Sequence, residues 1–270
     1  MLNKQYLWRQ DVFDSEALGF KVAKIIEIES EGSPRALDEK IKKLKKELAS
    51  KKVTYASFRV SSDNFQIIHA LERGGFILVD GLITLNIDIF STPLLKRDKI
   101  PNVREASESD IKKLREMTRG LFSVSRVFND PFIPKNNADN FYIKWIENSI
   151  KGKVADSVLV WEEKERILGY ITLQKKGQIP LVAVSSEARG KGVGKGLTNA
   201  ALVKFKKWML STATIETQMS NIPALRLYES CGFKITASHL TFRWVNEAPR
   251  AKSPRSANWR NASFRPSSMD

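Results

Sequence analysis

Cysteine and histidine are scarce in this sequence, and their scarcity limits the chemistry open to it. Among 270 residues there is one cysteine, Cys231, and there are two histidines, His69 and His239. A single cysteine cannot form an intrachain disulfide, and so few strong ligands argue against a zinc site. Neither histidine lies in a recognisable cysteine-hydrolase motif with Cys231. We therefore expect a buried structural thiol and no metal cofactor.

Long apolar runs are also missing. The longest, Gly75–Val79 and Ile179–Val184, have the length of single strands, whereas a membrane-spanning helix needs about 20 apolar residues. The opening segment, MLNKQYLWRQDVFDSE, carries charges where a signal peptide needs an apolar core. With 42% hydrophobic and 28% charged residues, the composition is that of a soluble globular protein. We expect a cytoplasmic location without a membrane span.

Acidic residues are too few to balance the basic ones. The chain has 45 Lys and Arg against 30 Asp and Glu, a net charge of +15. Residues 151–270 alone carry 20 basic and nine acidic side chains, which gives +11 of that excess. A basic field attracts phosphorylated partners in general. Charge alone therefore leaves nucleic acid, nucleotides and coenzyme A as candidates.

The pattern of residues 1–95 predicts a small N-terminal α/β domain. A helix opens at Ser33-Pro34 and repeats leucine and isoleucine at helical spacing through position 48. Five lysines fill its other face, which favours a solvated surface over a nucleic-acid contact. The other predicted elements are strands over 21–28 and 53–60, a helix over 64–74, and two strands within 76–89 separated near Asp80-Gly81.

A linker is predicted over residues 91–101, and a second domain over 101–246. The segment Ser107–Asp110 matches a helix capping box. The remaining predicted elements are a strand over 102–106, a helix from Ile111, a loop over 129–140, a helix over 141–150, a hairpin over 157–173 and a strand over 214–218. The tail, 247–270, is basic, rich in Ser and Pro and without periodicity, so we expect it to be disordered.

One segment combines a strand, a glycine-rich turn and a helix. The strand is predicted over 179–184, the turn Arg189-Gly190-Lys191-Gly192-Val193-Gly194 follows, and a helix starts at once. Glycines let backbone N–H groups approach an anion closely, and a helix N-terminus supplies free donors and a positive dipole end. The turn lacks the Gly-Lys-Ser/Thr ending of a P-loop and departs from the G-x-G-x-x-G spacing. We predict a phosphate-binding turn of another type.

The turn and a second motif resemble those of GNAT acetyltransferases. R-x-x-G-x-G follows the strand, and residues 221–233, NIPALRLYESCGF, resemble the superfamily pattern N-x-x-A-x-x-x-Y-x-x-x-G-F. The resemblance implies an α/β (α+β) GNAT fold, with a central mixed sheet flanked by helices, preceded by a smaller, partial GNAT-like domain. It also implies acetyl-CoA as co-substrate.

The resemblance assigns a role to each motif residue. Backbone groups of the strand Leu181, Val182, Ala183 and Val184 would pair with the pantetheine arm. The turn would bind the pyrophosphate, Asn221 would contact the coenzyme, and the Tyr228 hydroxyl would protonate the departing thiolate. The cofactor residues are thus predicted to be Leu181, Val182, Ala183, Val184, Arg189, Gly190, Lys191, Gly192, Val193, Gly194, Lys195 and Asn221.

Other segments are similar to GNAT enzymes that acetylate nucleotide-linked amino sugars. They are residues 8–20, 75–81, 121–127 and 141–148. The similarity implies the amine of a dTDP-linked 4-amino-dideoxy sugar as acceptor, with Ser125, Arg126 and Tyr142 as substrate-binding candidates. Position 127 is Val where the family pattern leads us to expect an aromatic residue.

The sequence leaves alternatives open. The acceptor amine could instead belong to a protein N-terminus, a lysine or another small amine, although a basic surface disfavours a polyamine. A non-catalytic acetyl-CoA-binding or nucleic-acid-binding module is a second alternative, though no nucleic-acid motif occurs beyond charge. The general base is open between Glu216, Glu147 and a chain of waters. The oligomeric state is open too, a homodimer included.

Overall fold

The structure, a computed structural model, describes residues 5–91 and 100–246. The predicted disordered tail and most of the predicted linker lie outside the described residues. The strands are Tyr6–Asp11 (β1), Val22–Ile28 (β2), Tyr55–Ser61 (β3), Ile77–Asp88 (β4), Val103–Glu105 (β5), Ser157–Glu163 (β6), Arg166–Leu173 (β7), Gln178–Ile179 (β8), Val182–Val184 (β9), Thr212–Gln218 (β10) and Lys234–Val245 (β11). The helices are Val12–Leu18 (α1), Pro34–Ser50 (α2), Phe65–Arg73 (α3), Ile111–Thr118 (α4), Arg126–Asn129 (α5), Lys135–Ile150 (α6), Val193–Lys207 (α7) and Ile222–Ser230 (α8).

The strands form two sheets. The larger has seven strands in the order β1-β2-β3-β11-β4-β10-β8, with parallel pairing in β2–β3 and β8–β10 and antiparallel pairing elsewhere. The smaller is an antiparallel sheet in the order β5-β6-β7-β9. This mixed α/β architecture confirms the predicted fold class.

Helix α2 covers one face of the large sheet, as its periodicity predicts. Ser33 caps its N-terminus by accepting a hydrogen bond from the Ala36 N–H, and Pro34 occupies the first turn. The apolar stripe is almost completely buried, together with side chains of β2, β3 and α3. Its members are Leu37, Ile41, Leu44 and Leu48.

Helix α7 joins the two sheets. Its residues Leu197, Ala201 and Phe205 are fully buried, and they pack in one cluster with side chains from β4, β10 and β7. A further cluster combines α1, α4 and α6 with β6 and β7. Because α7 begins directly after the glycine-rich turn, this packing fixes the position of the turn between the sheets.

The predicted break at Asp80-Gly81 is wrong, because β4 runs unbroken from Ile77 to Asp88. The pairing with β11 shifts register near Val79, so the irregularity is a bulge within one strand. Gly81 permits a close approach: a Cβ there would lie 2.4 Å from the Met219 sulfur. Gly81 therefore allows the Met219 side chain to pack closely against β4, and it does not end the strand.

The predicted loop over 129–140 is also wrong in its second half. Helix α6 starts at Lys135, directly after Pro134. Polar side chains in its first turns bind other segments: Asn137 Nδ2 donates to the Leu18 carbonyl at 2.7 Å, and the Asp139 carboxylate accepts the Gly120 N–H at 2.9 Å. These long-range hydrogen bonds stabilise a helical conformation that the local composition disfavours.

The N-terminal segment contributes to the same large sheet as the rest of the chain. Strand β4 lies between β10 and β11, and β3 pairs with β11. That residues 1–95 form a domain of their own, distinct from 101–246, stays a prediction. No helix within residues 5–91 and 100–246 is long and apolar enough to cross a bilayer.

Candidate functional site

The predicted strand over 179–184 is two strands in the structure, and the break between them opens the site. β8 pairs with β10 only as far as Ile179, whereas β9 pairs with β7 in the other sheet. Pro180 lies at the break, where its missing N–H and fixed φ interrupt a ladder. β9 is the last strand of its sheet, so one edge of Val182–Val184 has no strand partner within the described residues.

The glycine-rich turn follows β9 after one short 3-10 helix, Ser186–Ala188. Gly190 and Gly192 have φ values of +75° and +83°, the left-handed region that glycine adopts without strain. α7 starts at Val193, so its first backbone N–H groups point out of the helix start. Arg189, Lys191 and Lys195 are exposed around the turn. This geometry suits a phosphate group.

Two further glycines serve packing. A Cβ at Gly194 would lie 2.9 Å from Leu227 Cδ2, and one at Gly196 would lie 2.2 Å from Trp161 Cζ3. By contrast, no atom lies within 4 Å of a Cβ built on Gly192. Gly192 is therefore required for its backbone conformation, and Gly196 allows α7 to approach β6.

Asn221 caps α8. Its side-chain oxygen accepts the Ala224 N–H at 3.4 Å, and its Nδ2 donates to Thr217 Oγ1 at 3.1 Å. These bonds attach the start of α8 to β10. Through these bonds Asn221 holds in place the helix that carries Tyr228. Asn221 also lines the cavity described below.

Tyr228 lies on α8 and is 5% exposed. Its ring packs near Phe233, with ring centroids 6.2 Å apart. Burial raises the pKa of its hydroxyl well above the ordinary value of 10, with a smaller contribution from Cys231. Within the described residues the hydroxyl makes no hydrogen bond, and Tyr228 lines the cavity. A neutral O–H is thus available for donation.

A single cavity of about 1100 Å³ runs from the turn past Tyr228 to the N-terminal segment. It brings together every predicted site residue except Lys191, which is exposed outside it. The members are Leu181, Val182, Ala183, Val184, Arg189, Gly190, Gly192, Val193, Gly194, Lys195, Asn221, Tyr228, Ser125, Arg126 and Tyr142.

The substrate candidates lie at the other end of the cavity. Arg126 Nη2 donates to Asp14 Oδ2 at 2.8 Å, so its charge is paired with the N-terminal segment. Its Nη1 is buried and has no hydrogen-bond partner in the described part of the chain. Tyr142 stacks on Phe122 with ring centroids 4.2 Å apart. Burial raises the pKa of Tyr142 to about 12, against the opposing effects of Ser125 and Arg126.

The two carboxylates considered as bases are both engaged. Glu216 faces the cavity but accepts two hydrogen bonds from Arg59 Nη1, at 2.7 and 2.9 Å. Glu147 does not line the cavity, and a hydrogen bond from Lys151 lowers its pKa. Asp80, which was not predicted from the sequence, also lines the cavity; burial raises its pKa, partly opposed by the Gln218 amide. Asp80, which accepts a hydrogen bond from Gln218 at 3.4 Å, is therefore a further candidate for the proton acceptor.

The N-terminal lining of the cavity is not among the residues predicted from the sequence. Arg9, Lys24 and Arg59 project from three neighbouring strands into the cavity. Charged and apolar residues alternate along these strands, which places the charged side chains on one face of the sheet. This alternation could have identified them from the sequence. No group of three or more His, Cys, Asp or Glu that could hold a metal occurs within the residues described.

Comparison with known proteins finds similarity to one enzyme family over part of the chain. Residues 121–233 match the acetyltransferase (GNAT) family. Over 185 residues the chain is 27% identical to the dTDP-fucosamine acetyltransferase of Escherichia coli, covering 67% of this chain and 77% of that protein. It is 28% identical over 133 residues to the spore coat polysaccharide biosynthesis protein SpsD of Bacillus subtilis, covering 48% of this chain and 46% of SpsD.

A solved structure gives the same fold. The GCN5-related N-acetyltransferase from Sphaerobacter thermophilus superposes with a TM-score of 0.62 at 12% identity, covering 89% of this chain and 76% of that one. At this identity the likeness concerns the fold alone. It confirms the GNAT fold that the two motifs predict.

Proposed function

We propose that this chain, whose residues 121–233 match the GNAT acetyltransferase family, is an acetyl-CoA-dependent N-acetyltransferase that acetylates the amine of a nucleotide-linked amino sugar. The acceptor we expect is a dTDP-linked 4-amino-dideoxy sugar. The similarity to a dTDP-fucosamine acetyltransferase supports this choice, because it extends over 185 residues.

The donor is assigned to the gap between the sheets. The free edge of β9 offers backbone N–H and C=O groups to the amide-bearing pantetheine arm, in the manner of an added strand. The turn from Arg189 to Gly194 and the start of α7 receive the pyrophosphate. With the arm along β9, the thioester reaches Tyr228 at the inner end of the gap.

Tyr228 supplies the proton that the leaving group needs. Attack of the acceptor amine on the thioester carbonyl forms the new N–C bond and breaks the C–S bond. The Tyr228 hydroxyl donates its proton to the departing sulfur, and Asp80 takes the proton that the amine loses. The raised pKa of Tyr228 keeps its hydroxyl protonated at neutral pH.

The acceptor is assigned to the far end of the cavity. The observation that carries the proposal is the continuity of one cavity from the turn to Arg9–Asp14, Lys24 and Arg59 of the N-terminal segment. In this arrangement the described part of residues 1–95 supplies one wall of the acceptor end, and residues 101–246 supply the donor site and the rest of that end. The stacked pair Phe122 and Tyr142 offers an apolar surface to a sugar or base ring.

A panel assay of CoA release tests the proposal. The purified enzyme with acetyl-CoA is offered dTDP-linked amino sugars, the free amino sugars, lysine peptides, protein N-terminal peptides and spermidine. We expect the nucleotide-linked sugars to give the highest kcat/KM. Faster release with a peptide or a polyamine, and none with any nucleotide amino sugar, would overturn the acceptor assignment.

A further inference from the structure

Part of one face of the large sheet lines the cavity. On β2, Ala23 and Ile25 point to the buried layer under α2 and α3, so Lys24 points to the opposite face. Arg9 stands directly opposite Lys24 on β1, and Lys24 stands beside Ser57 on β3. Arg59 lies two residues beyond Ser57, on the same face.

These three cations are unequally neutralised. Arg59 forms an ion pair with Glu216 at 2.7 Å. Arg9 and Lys24 have no carboxylate within 4 Å among residues 5–91 and 100–246. Two positive charges in this row, those of Arg9 and Lys24, therefore form no ion pair within the described part of the chain.

Two carboxylates near this row, those of Asp11 and Asp14, have other partners. Asp11 caps α1 by accepting the Asp14 N–H at 3.0 Å, and Asp14 pairs with Arg126. Burial lowers the pKa of Lys24, and Arg59, Arg126 and Arg9 lower it further, against the opposite effect of Asp11. Crowding of like charges costs free energy, and a bound anion would remove that cost.

We propose that Arg9 and Lys24, with Arg59 beside them, form a second anion site that binds the diphosphate of the acceptor. The inference rests on the proposed function, and it specifies that these side chains bind the diphosphate part of the acceptor. The site is distinct from the turn at Arg189–Gly194, which serves the donor's pyrophosphate.

The geometry suits a diphosphate. Side chains directly opposite on neighbouring strands have Cβ atoms about 4.5–5.5 Å apart, so Arg9 and Lys24 can each hold one of two linked phosphates. Arginine adds a planar fork that binds phosphate oxygens in pairs. Phe122 and Tyr142 line the same cavity and can stack on the attached base or sugar.

The test measures binding of dTDP to enzyme saturated with CoA, so that the donor turn is already filled. The variants are Arg9→Ala and Lys24→Ala; each removes a side chain that forms no ion pair within the described residues, and thermal melting checks that the fold persists. The control is Lys43→Ala, an exposed lysine on α2, on the other side of the sheet, which changes the net charge equally. Thymidine replaces dTDP in a parallel titration.

We expect dTDP to bind the wild type and the control alike. Each cavity variant should weaken binding about tenfold or more, as the loss of a charge-assisted hydrogen bond does, and affinity for CoA should not change. Thymidine should bind weakly, with no difference between variants. Equal dTDP affinity in all four proteins, or no dTDP binding to the wild type, would overturn the inference.

The same variants separate this inference from the proposed function. If dTDP binding depends on Arg9 and Lys24 but no nucleotide amino sugar is acetylated, the anion site stands and the proposed acceptor is wrong. If a nucleotide amino sugar is acetylated with unchanged acceptor KM in both variants, the acceptor stands and the anion site is wrong.

Discussion

Replacing Tyr228 by Phe removes one hydroxyl and leaves the buried ring in place. The hydroxyl makes no hydrogen bond within the described residues, so its loss should leave the free energy of unfolding unchanged or slightly higher. Loss of a positioned proton donor lowers turnover about 10²- to 10⁴-fold, which is about 3–5 kcal/mol in activation free energy. Tyr228→Phe should therefore lower turnover strongly without lowering the free energy of unfolding.

The assay is single-turnover acetyl transfer at saturating acetyl-CoA and acceptor, with thermal melting on the same samples. The matched control is Tyr170→Phe, because Tyr170 is also buried but lies outside the cavity and its hydroxyl is 2.9 Å from Thr118 Oγ1. That variant should lose about 1 kcal/mol of stability and keep its turnover. Wild-type single-turnover rates in Tyr228→Phe would refute the role of Tyr228 as acid.

Three further substitutions test other parts of the site. Gly192→Val forces a β-branched residue to a φ of +83° at the start of α7, so acetyl-CoA affinity measured by calorimetry should fall at least about tenfold; normal affinity would contradict the turn assignment. Arg126→Ala should raise the acceptor KM without changing acetyl-CoA affinity. It should also lower the free energy of unfolding by about 3–5 kcal/mol, because Asp14 loses its partner. An unchanged acceptor KM would remove Arg126 from the acceptor site. Asp80 acts as a base only when it is deprotonated. Because its pKa is raised, kcat of the wild type should fall on acidification at a higher pH than an ordinary Asp would give. Asp80→Asn should lower kcat and abolish that fall; a variant with the pH profile of the wild type would exclude Asp80 as the base.

Local patterns predicted much of the fold. The stripe in α2 and the helix start at Ser33-Pro34 depend on residues close in sequence, and the structure contains the predicted helix there. The motif from Asn221 to Phe233 is local too, and it contains the helix Ile222–Ser230. The errors arose where distant contacts override local preference. Pro180 interrupts a run of apolar residues that otherwise resembles one strand, and Gly81 lies inside a strand because Met219 packs against it.

The acceptor end of the cavity was the least predictable part. Arg126 and Asp14 are 112 positions apart, and the row of Arg9, Lys24 and Arg59 exists only through the register of three strands. Single-sequence periodicity predicts that a strand has a charged face, but not which strands lie beside it. The donor site, in contrast, is built from one contiguous strand–turn–helix and one nearby helix.

The most direct test of the central claim is mass spectrometry of the acceptor after incubation with enzyme and acetyl-CoA. With dTDP-4-amino-4,6-dideoxygalactose, we predict a product heavier by one acetyl group on the amine, formed in equal amount with free CoA. An unmodified sugar nucleotide would contradict the claim if the same enzyme preparation acetylates a peptide or a small amine.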